Sequence, residues 1–182
     1  MLHIFLQGKI MRIRHTTIAD LPRIMKIFEI AKIFMRVHGN HHQWTDGYPA
    51  ESVLLNDIDK GWSHVITTDD GDRILGTFCL MTEPEPTYSL IDGNGWLNER
   101  PYVTIHRIAS DGTTHGLLKN AVTHALATGC DIRIDTHADN HPMHHAVKQL
   151  GFTRCGIITL ADGSLRTAYH LVNTSAHSLP NE

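Results

Sequence analysis

Two titratable side chains, His106 and Arg107, interrupt the apolar run of "IHRIASDGTTHGLL" (105–118), a segment that reads as strand, glycine-bearing turn and helix. A buried strand ordinarily carries Val, Ile and Leu at such positions. A histidine there is a candidate general base, because imidazole changes charge near neutral pH. His137, at the end of the β-rich run "DIRIDTH" (131–137), is the second candidate. Neighbouring strand residues face opposite ways, so His106 and Arg107 are expected on opposite faces of the sheet, as are Asp135 and Thr136. Arg107 and Asp135 are expected to form a buried cross-strand pair, since buried charges are kept paired. The turn offers a different chemistry. Gly112 and Gly116 let backbone approach closely, Thr113 and Thr114 add hydroxyls, and the helix that starts there presents free N–H groups to an anion such as phosphate. No GxGxxG follows the first strand and no GxxxxGK[ST] occurs, which argues against NAD and ATP.

These residues need a scaffold, and the hydrophobic pattern supplies one. "MRIRHTT" (11–17) alternates as a strand. In "TIADLPRIMKIFEIAKIFMRVHG" (17–39), Thr17 and Asp20 form a capping-box variant and Gly39 stops the helix. A polar, aromatic loop, "NHHQWTDGYP" (40–49), precedes a short amphipathic helix, "AESVLLNDIDKG" (50–61). "SHVITTDDGDRILGTFCLM" (63–81) reads as a hairpin around Asp69–Asp72, and a loop with Pro84, Pro86, Gly93 and Gly95 carries Tyr88 and Trp96. After the opening segment, a helix buries Leu117, Leu118, Ala121, Val122, Ala125 and Leu126 and ends at Gly129. The strand "DIRIDTH" leads to "ADNHPMHHAVKQLG" (138–151), a helix capped by Asp139 or Asn140 with Gly151 just past its end. "FTRCGIITL" and "LRTAYHLV" close the chain as an antiparallel hairpin. The order β-α-α-β-β-β-α-β-α-β-β is mixed α/β (α+β), with a parallel pair flanking the third helix.

Composition narrows the function class. The 182 residues fit one domain, and a net charge of −3 without a Lys/Arg run argues against nucleic acid as partner. Three scattered cysteines make neither a disulfide framework nor a zinc motif and fit a reducing, cytoplasmic setting. No signal peptide or membrane span is expected, and Met11 is a candidate start. Fifteen histidines are many, yet none has chelating spacing, so no metal site is expected. Residues 1–10 read as an N-terminal extension, 11–172 as the domain and 173–182 as a tail.

The run from "IHRIAS" through "THGLL" to "DTHADNHPMHHAVKQLGF" resembles the core of the GCN5-related N-acetyltransferase (GNAT) superfamily. The resemblance spans Met11 to Val172. It implies a mixed central sheet with splayed parallel strands flanked by helices, and acetyl-CoA or another acyl-CoA bound where those strands part. It also implies direct acyl transfer to a primary amine in a ternary complex. The strand residues Ile108, Ala109 and Ser110, the loop Thr113, Thr114, His115, Gly116, Leu117 and Leu118, and Asn140 are then the cofactor-binding set. The backbone around Ile108 and Ala109 would also serve the oxyanion. Two departures stand out. The loop pattern Arg/Gln-x-x-Gly-x-Gly/Ala becomes Thr113–Leu118 with one glycine, and the tyrosine that donates a proton to the leaving thiolate falls on Val147.

The family also places the acceptor beside the loop between the first two helices and the loop before the central strand. Here Trp44, Asp46, Tyr48 and Trp96 offer aromatic faces and a carboxylate to a small-molecule or peptide amine, with Asn40 and Gln43 as polar neighbours. The same aromatics could instead anchor the loops to the core. Two rival functions stay open: a weak or inactive CoA- or metabolite-binding module, and an interaction protein that pairs as a homodimer.

Overall fold

The computed structural model describes residues 11–174. The expected extension (1–10) and residues 175–182 of the expected tail lie outside the described residues. Eight strands form one sheet, ordered β1-β2-β3-β5-β6-β8-β7-β4. β1 (Met11–His15) runs antiparallel to β2 (Ser63–Thr68), and β2 to β3 (Ile74–Met81). β4 (Asp92–Gly93) is a two-residue strand that the sequence pattern did not suggest. β5 (Tyr102–Ser110) and β6 (Asp131–Thr136) form the expected parallel pair, and β7 (Thr153–Thr159) with β8 (Leu165–Leu171) the closing hairpin.

The helices follow the expected signals. The Thr17 N–H donates to Asp20 Oδ2 at 2.8 Å, closing the capping box, and a 3-10 turn (Ile18–Asp20) leads into α1 (Leu21–Val37). Arg14 grips the same carboxylate through both Nη atoms and, with Thr17, draws Asp20 down to about 2. Gly39, in the left-handed region at φ 85°, ends α1. α2 (Glu51–Asp59), α3 (Leu117–Leu126) and α4 (His141–Gln149) complete the set. No helix of the described residues is long and apolar enough to cross a membrane.

Alternation along the strands sorts side chains onto two faces. Ile66, Phe78, Leu80, Ile105, Ile132 and Ile134 pack against Leu117, Ala121 and Ala125 of α3 and Val147 of α4. Val65, Ile74 and Ala109 face the other way, against Ile24, Ile27 and Phe28 of α1 and Leu54 of α2. The site therefore lies in a sheet held between two helical layers.

Two departures from a regular sheet build that site. β5 pairs with β6 only from Tyr102 opposite Asp131 to Thr104 opposite Arg133. Beyond Thr104 the strands part, leaving the backbone of Ile105–Ser110 without a partner on that side. The second departure is a bulge. On β3, Thr77 faces Ala109 and Cys79 faces His106, so three steps on β5 match two on β3. Arg107, at φ 51°, takes up the extra residue.

The bulge overturns two expectations. His106 and Arg107 both reach partners on the α1–α2 side of the sheet, while Ile105 and Ile108 both pack on the other. The simple alternation assumed an unbroken strand. On that side Arg107 pairs with Asp57 of α2, through Nε at 2.9 Å and Nη2 at 2.8 Å, and not with Asp135, because β5 has left β6 beyond Thr104 and Asp135 is taken by Tyr88.

Candidate active site

The loop after β5 is held by a carboxylate inside it. Asp111 Oδ2 accepts from Arg23 of α1 at 2.7 Å and from Arg73 of the β2–β3 turn at 2.8 Å. Its Oδ1 takes the Thr113 N–H at 3.0 Å and the Thr113 hydroxyl at 2.6 Å. Two guanidiniums against one carboxylate leave a net positive charge under the loop. Gly116, left-handed at φ 85°, is the N-cap of α3, so Leu117, Leu118 and Lys119 form a first turn whose N–H groups have no acceptor within the helix. Leu117 is seated against β3 because Gly76 has no side chain. A Cβ there would strike Leu117 and lie 2.6 Å from the Ala109 carbonyl oxygen.

Beside this loop, the parted strands present unpaired backbone over Ile105–Ser110. Thr136 on β6 keeps a buried hydroxyl with no hydrogen-bond partner. Unpaired strand backbone with a helix N-terminus at its end fits the polar arm and diphosphate of an acyl-CoA. Asn140 caps α4 by accepting from the Met143 N–H at 3.3 Å, and its Nδ2 donates to Gln43 Oε1 at 3.0 Å. Gln43 Oε1 also accepts from Asn40 at 2.7 Å. These amides tie the α1–α2 loop to α4, so Asn40 and Gln43 serve the scaffold.

On the α1–α2 face, where β5 leaves β6, four side chains form one network. His106 Nε2 donates to Glu85 at 3.1 Å, and His106 Nδ1 lies 3.7 Å from Asp135 Oδ1. The Tyr88 hydroxyl donates to the same Asp135 oxygen at 2.7 Å. The hydrogen bond from His106 holds Glu85 down to about 2, while burial and the neighbouring Asp135 push the Tyr88 phenol well up. Tyr88 is thus a fixed hydrogen-bond donor to Asp135. Glu85 was missed in the sequence, where it stands between Pro84 and Pro86 and reads as turn.

His137 sits elsewhere on this face. Its Nδ1 accepts the Asp139 N–H at 3.2 Å, and its ring lies 6.2 Å from that of His42. Burial, then the nearby Arg166 guanidinium, lowers its pKa. His106 and His137 share no partner. Trp96 and Trp44 are also apart. Trp96 donates to the Tyr88 carbonyl at 2.9 Å and lies 4.1 Å from the Arg133 guanidinium, which anchors its loop. Trp44 meets Phe28 edge-on at 5.4 Å and neighbours Tyr48, whose hydroxyl accepts from Arg107 at 3.0 Å. Asp46, left-handed at φ 52°, lies in the exposed turn between them. Val147 is fully buried in the core, so no thiolate donor stands there.

Burial beside this network pushes the Cys79 thiol up to about 12, which makes it no nucleophile. Among the described residues no group of three or more His, Cys, Asp or Glu side chains could hold a metal ion.

No protein-family model matches the chain, and no similar sequence is found among curated proteins. Solved structures do match. An acetyltransferase of the GNAT family from Streptococcus agalactiae 2603 is 31% identical, with a TM-score of 0.77 over 92% of this chain and 97% of that one. A putative acetyltransferase from Staphylococcus aureus Mu50 is 24% identical, with a TM-score of 0.65 over 89% and 99%. The acetyltransferase yncA from Salmonella typhimurium, solved with acetyl-CoA, shares the fold at 16% identity, with a TM-score of 0.59 over 94% and 98%. Parted parallel strands, a glycine-started helix beside them and this likeness along the whole domain agree: the chain belongs to the GNAT family of acetyltransferases.

Proposed function

We propose that this protein transfers the acetyl group of acetyl-CoA to a primary amine by direct attack, with His106 as general base. The observation that carries the reading is the His106 imidazole, held through Nε2 by Glu85 and open at Nδ1 beside Asp135, where β5 and β6 part. With its proton on Nε2, the ring keeps a lone pair on Nδ1. An amine seated against both Nδ1 and Asp135 is held as the ammonium by the carboxylate and gives its proton to the imidazole. The co-substrate, when bound, supplies the activated acetyl group. The C–N bond then forms as the C–S bond breaks. The unpaired backbone at Ile108 and Ala109 orients the carbonyl, and the first turn of α3 with Thr113–Leu118 holds the diphosphate. The thiolate leaves without a residue at position 147 to protonate it, which is tolerable for a group with a free pKa of about 8.5.

The test is a thiol-release assay with acetyl-CoA over a panel of amines. His106→Gln should lower kcat/KM by about 100-fold or more and remove its acidic limb, while His137→Gln keeps that limb. A His106→Gln variant with the wild-type pH profile would refute the assignment of the base. Thermal shifts should rank acetyl-CoA and CoA above pantetheine, since the diphosphate meets the helix N-terminus.

A further inference from the structure

We infer that Arg166 binds a carboxylate on the acceptor, so that the amine acetylated is that of a small amino acid. The inference rests on the acetyl-transfer reading and narrows its substrate.

Arg166 is 9% exposed, yet its hydrogen bond runs from Nη1 to the Leu165 carbonyl at 2.9 Å. Among the described residues it forms no ion pair with a carboxylate. The other enclosed arginines differ. Arg107 has Asp57, and Arg133 lies between the rings of Trp96 (4.1 Å) and Tyr102 (3.9 Å). Asp162, the acidic side chain nearest Arg166 in sequence, feels its charge but does not pair with it, because the Ser164 N–H at 2.9 Å and hydroxyl at 2.6 Å take up its oxygen. A guanidinium this enclosed with no carboxylate in hydrogen-bonding contact is costly, and an anionic ligand against it lowers that cost.

Register places this cation at the site. Asp135 faces Ala168 across the β6–β8 ladder, and cross-strand partners share a face. Ala168 packs with Tyr88 and Ile158, and Ile158 is the partner of Arg166 on β7. Arg166 therefore lies on the face of Tyr88, Asp135 and His106, two residues beyond Ala168, or about 7 Å along the strand. It sits toward the C-terminal end of β6, beside His137. The distance suits one skeleton carrying both groups: an amine against His106 and Asp135, and a carboxylate against the planar fork of Arg166, which matches it bidentately.

The experiment compares amino acids with their decarboxylated amines and their amides as acceptors, for the wild type, Arg166→Lys and Arg166→Gln. Melting temperatures confirm that each variant folds. The wild type should favour the amino acid in kcat/KM by about 10- to 100-fold, the range for one charge-assisted hydrogen-bonded contact. Arg166→Gln should collapse that ratio toward one, chiefly through KM, and Arg166→Lys should restore part of it. Calorimetric titration of the same amino acids into the CoA complex gives an activity-independent readout, with binding lost in Arg166→Gln. Transfer to amines with no preference for the carboxylate, or an undiminished preference in Arg166→Gln, would overturn the inference alone. Absence of transfer to every amine, with the amino acid still bound, would overturn the reading on which it rests.

Discussion

Replacing Asp57 by Ala tests the junction between the bulge and α2. The Asp57 side chain is 4% exposed and that of Arg107 15%, and they meet through a bidentate contact at 2.7–2.9 Å. Asp57→Ala strips the guanidinium of its anion and leaves it the Tyr48 hydroxyl at 3.0 Å. Breaking one side of such a pair costs about 3–5 kcal/mol, because the remaining charge stays buried. For a domain of this size that is a drop in Tm of about 6–20 °C. Arg107→Met alone should cost a similar amount, by stranding the carboxylate. The double variant, which buries neither charge, should lose clearly less than the sum of the two. Position 107 keeps its left-handed backbone in both variants that change it, so that strain cancels in the cycle. Urea unfolding of the four proteins, with m-values checked for constancy, measures it. Single variants costing below about 1 kcal/mol, or strict additivity, would show that the pair is solvated and that the bulge is held by backbone alone.

Further outcomes follow from other contacts. His64 is buried, donates from Nδ1 to the Trp62 carbonyl, and has the rings of His15 at 4.4 Å and His124 at 5.2 Å; burial first, then these neighbours, bring it down to about 4. The unfolded chain thus binds the proton first, so stability present above pH about 6.5 should be lost, by about 2–3 kcal/mol, as pH falls toward 4. Urea titrations across that window should show a flatter profile for His64→Phe, and a parallel one would exclude His64 as the source. Gly76→Ala forces Leu117 off β3. It should cost about 1–3 kcal/mol in urea unfolding and weaken CoA more than pantetheine in calorimetry, whereas equal affinities would detach the α3 terminus from phosphate binding.

The local signals were legible in the sequence. Thr17 with Asp20, Asn140 before Pro142, and glycines 39, 116 and 151 mark helix ends through backbone chemistry that depends on a few neighbouring residues. The β-rich runs of β2 and β3 and the strand–turn–helix of 105–118 were legible for the same reason. What surrounds His106 was not legible. Its partners Glu85, Tyr88 and Asp135 lie 21, 18 and 29 residues away in the sequence, brought there by a Pro-bounded loop and a neighbouring strand. The bulge at Arg107 reverses the facing that regular alternation implies, because one extra residue shifts every later side chain by one step. Arg107 thereby reaches Asp57, 50 residues earlier, while Asp135 is taken by Tyr88 and lies beside His106. Arg166 carried no local mark at all: its burial without an ion-paired carboxylate is a property of the assembled sheet, where register decides which charges meet.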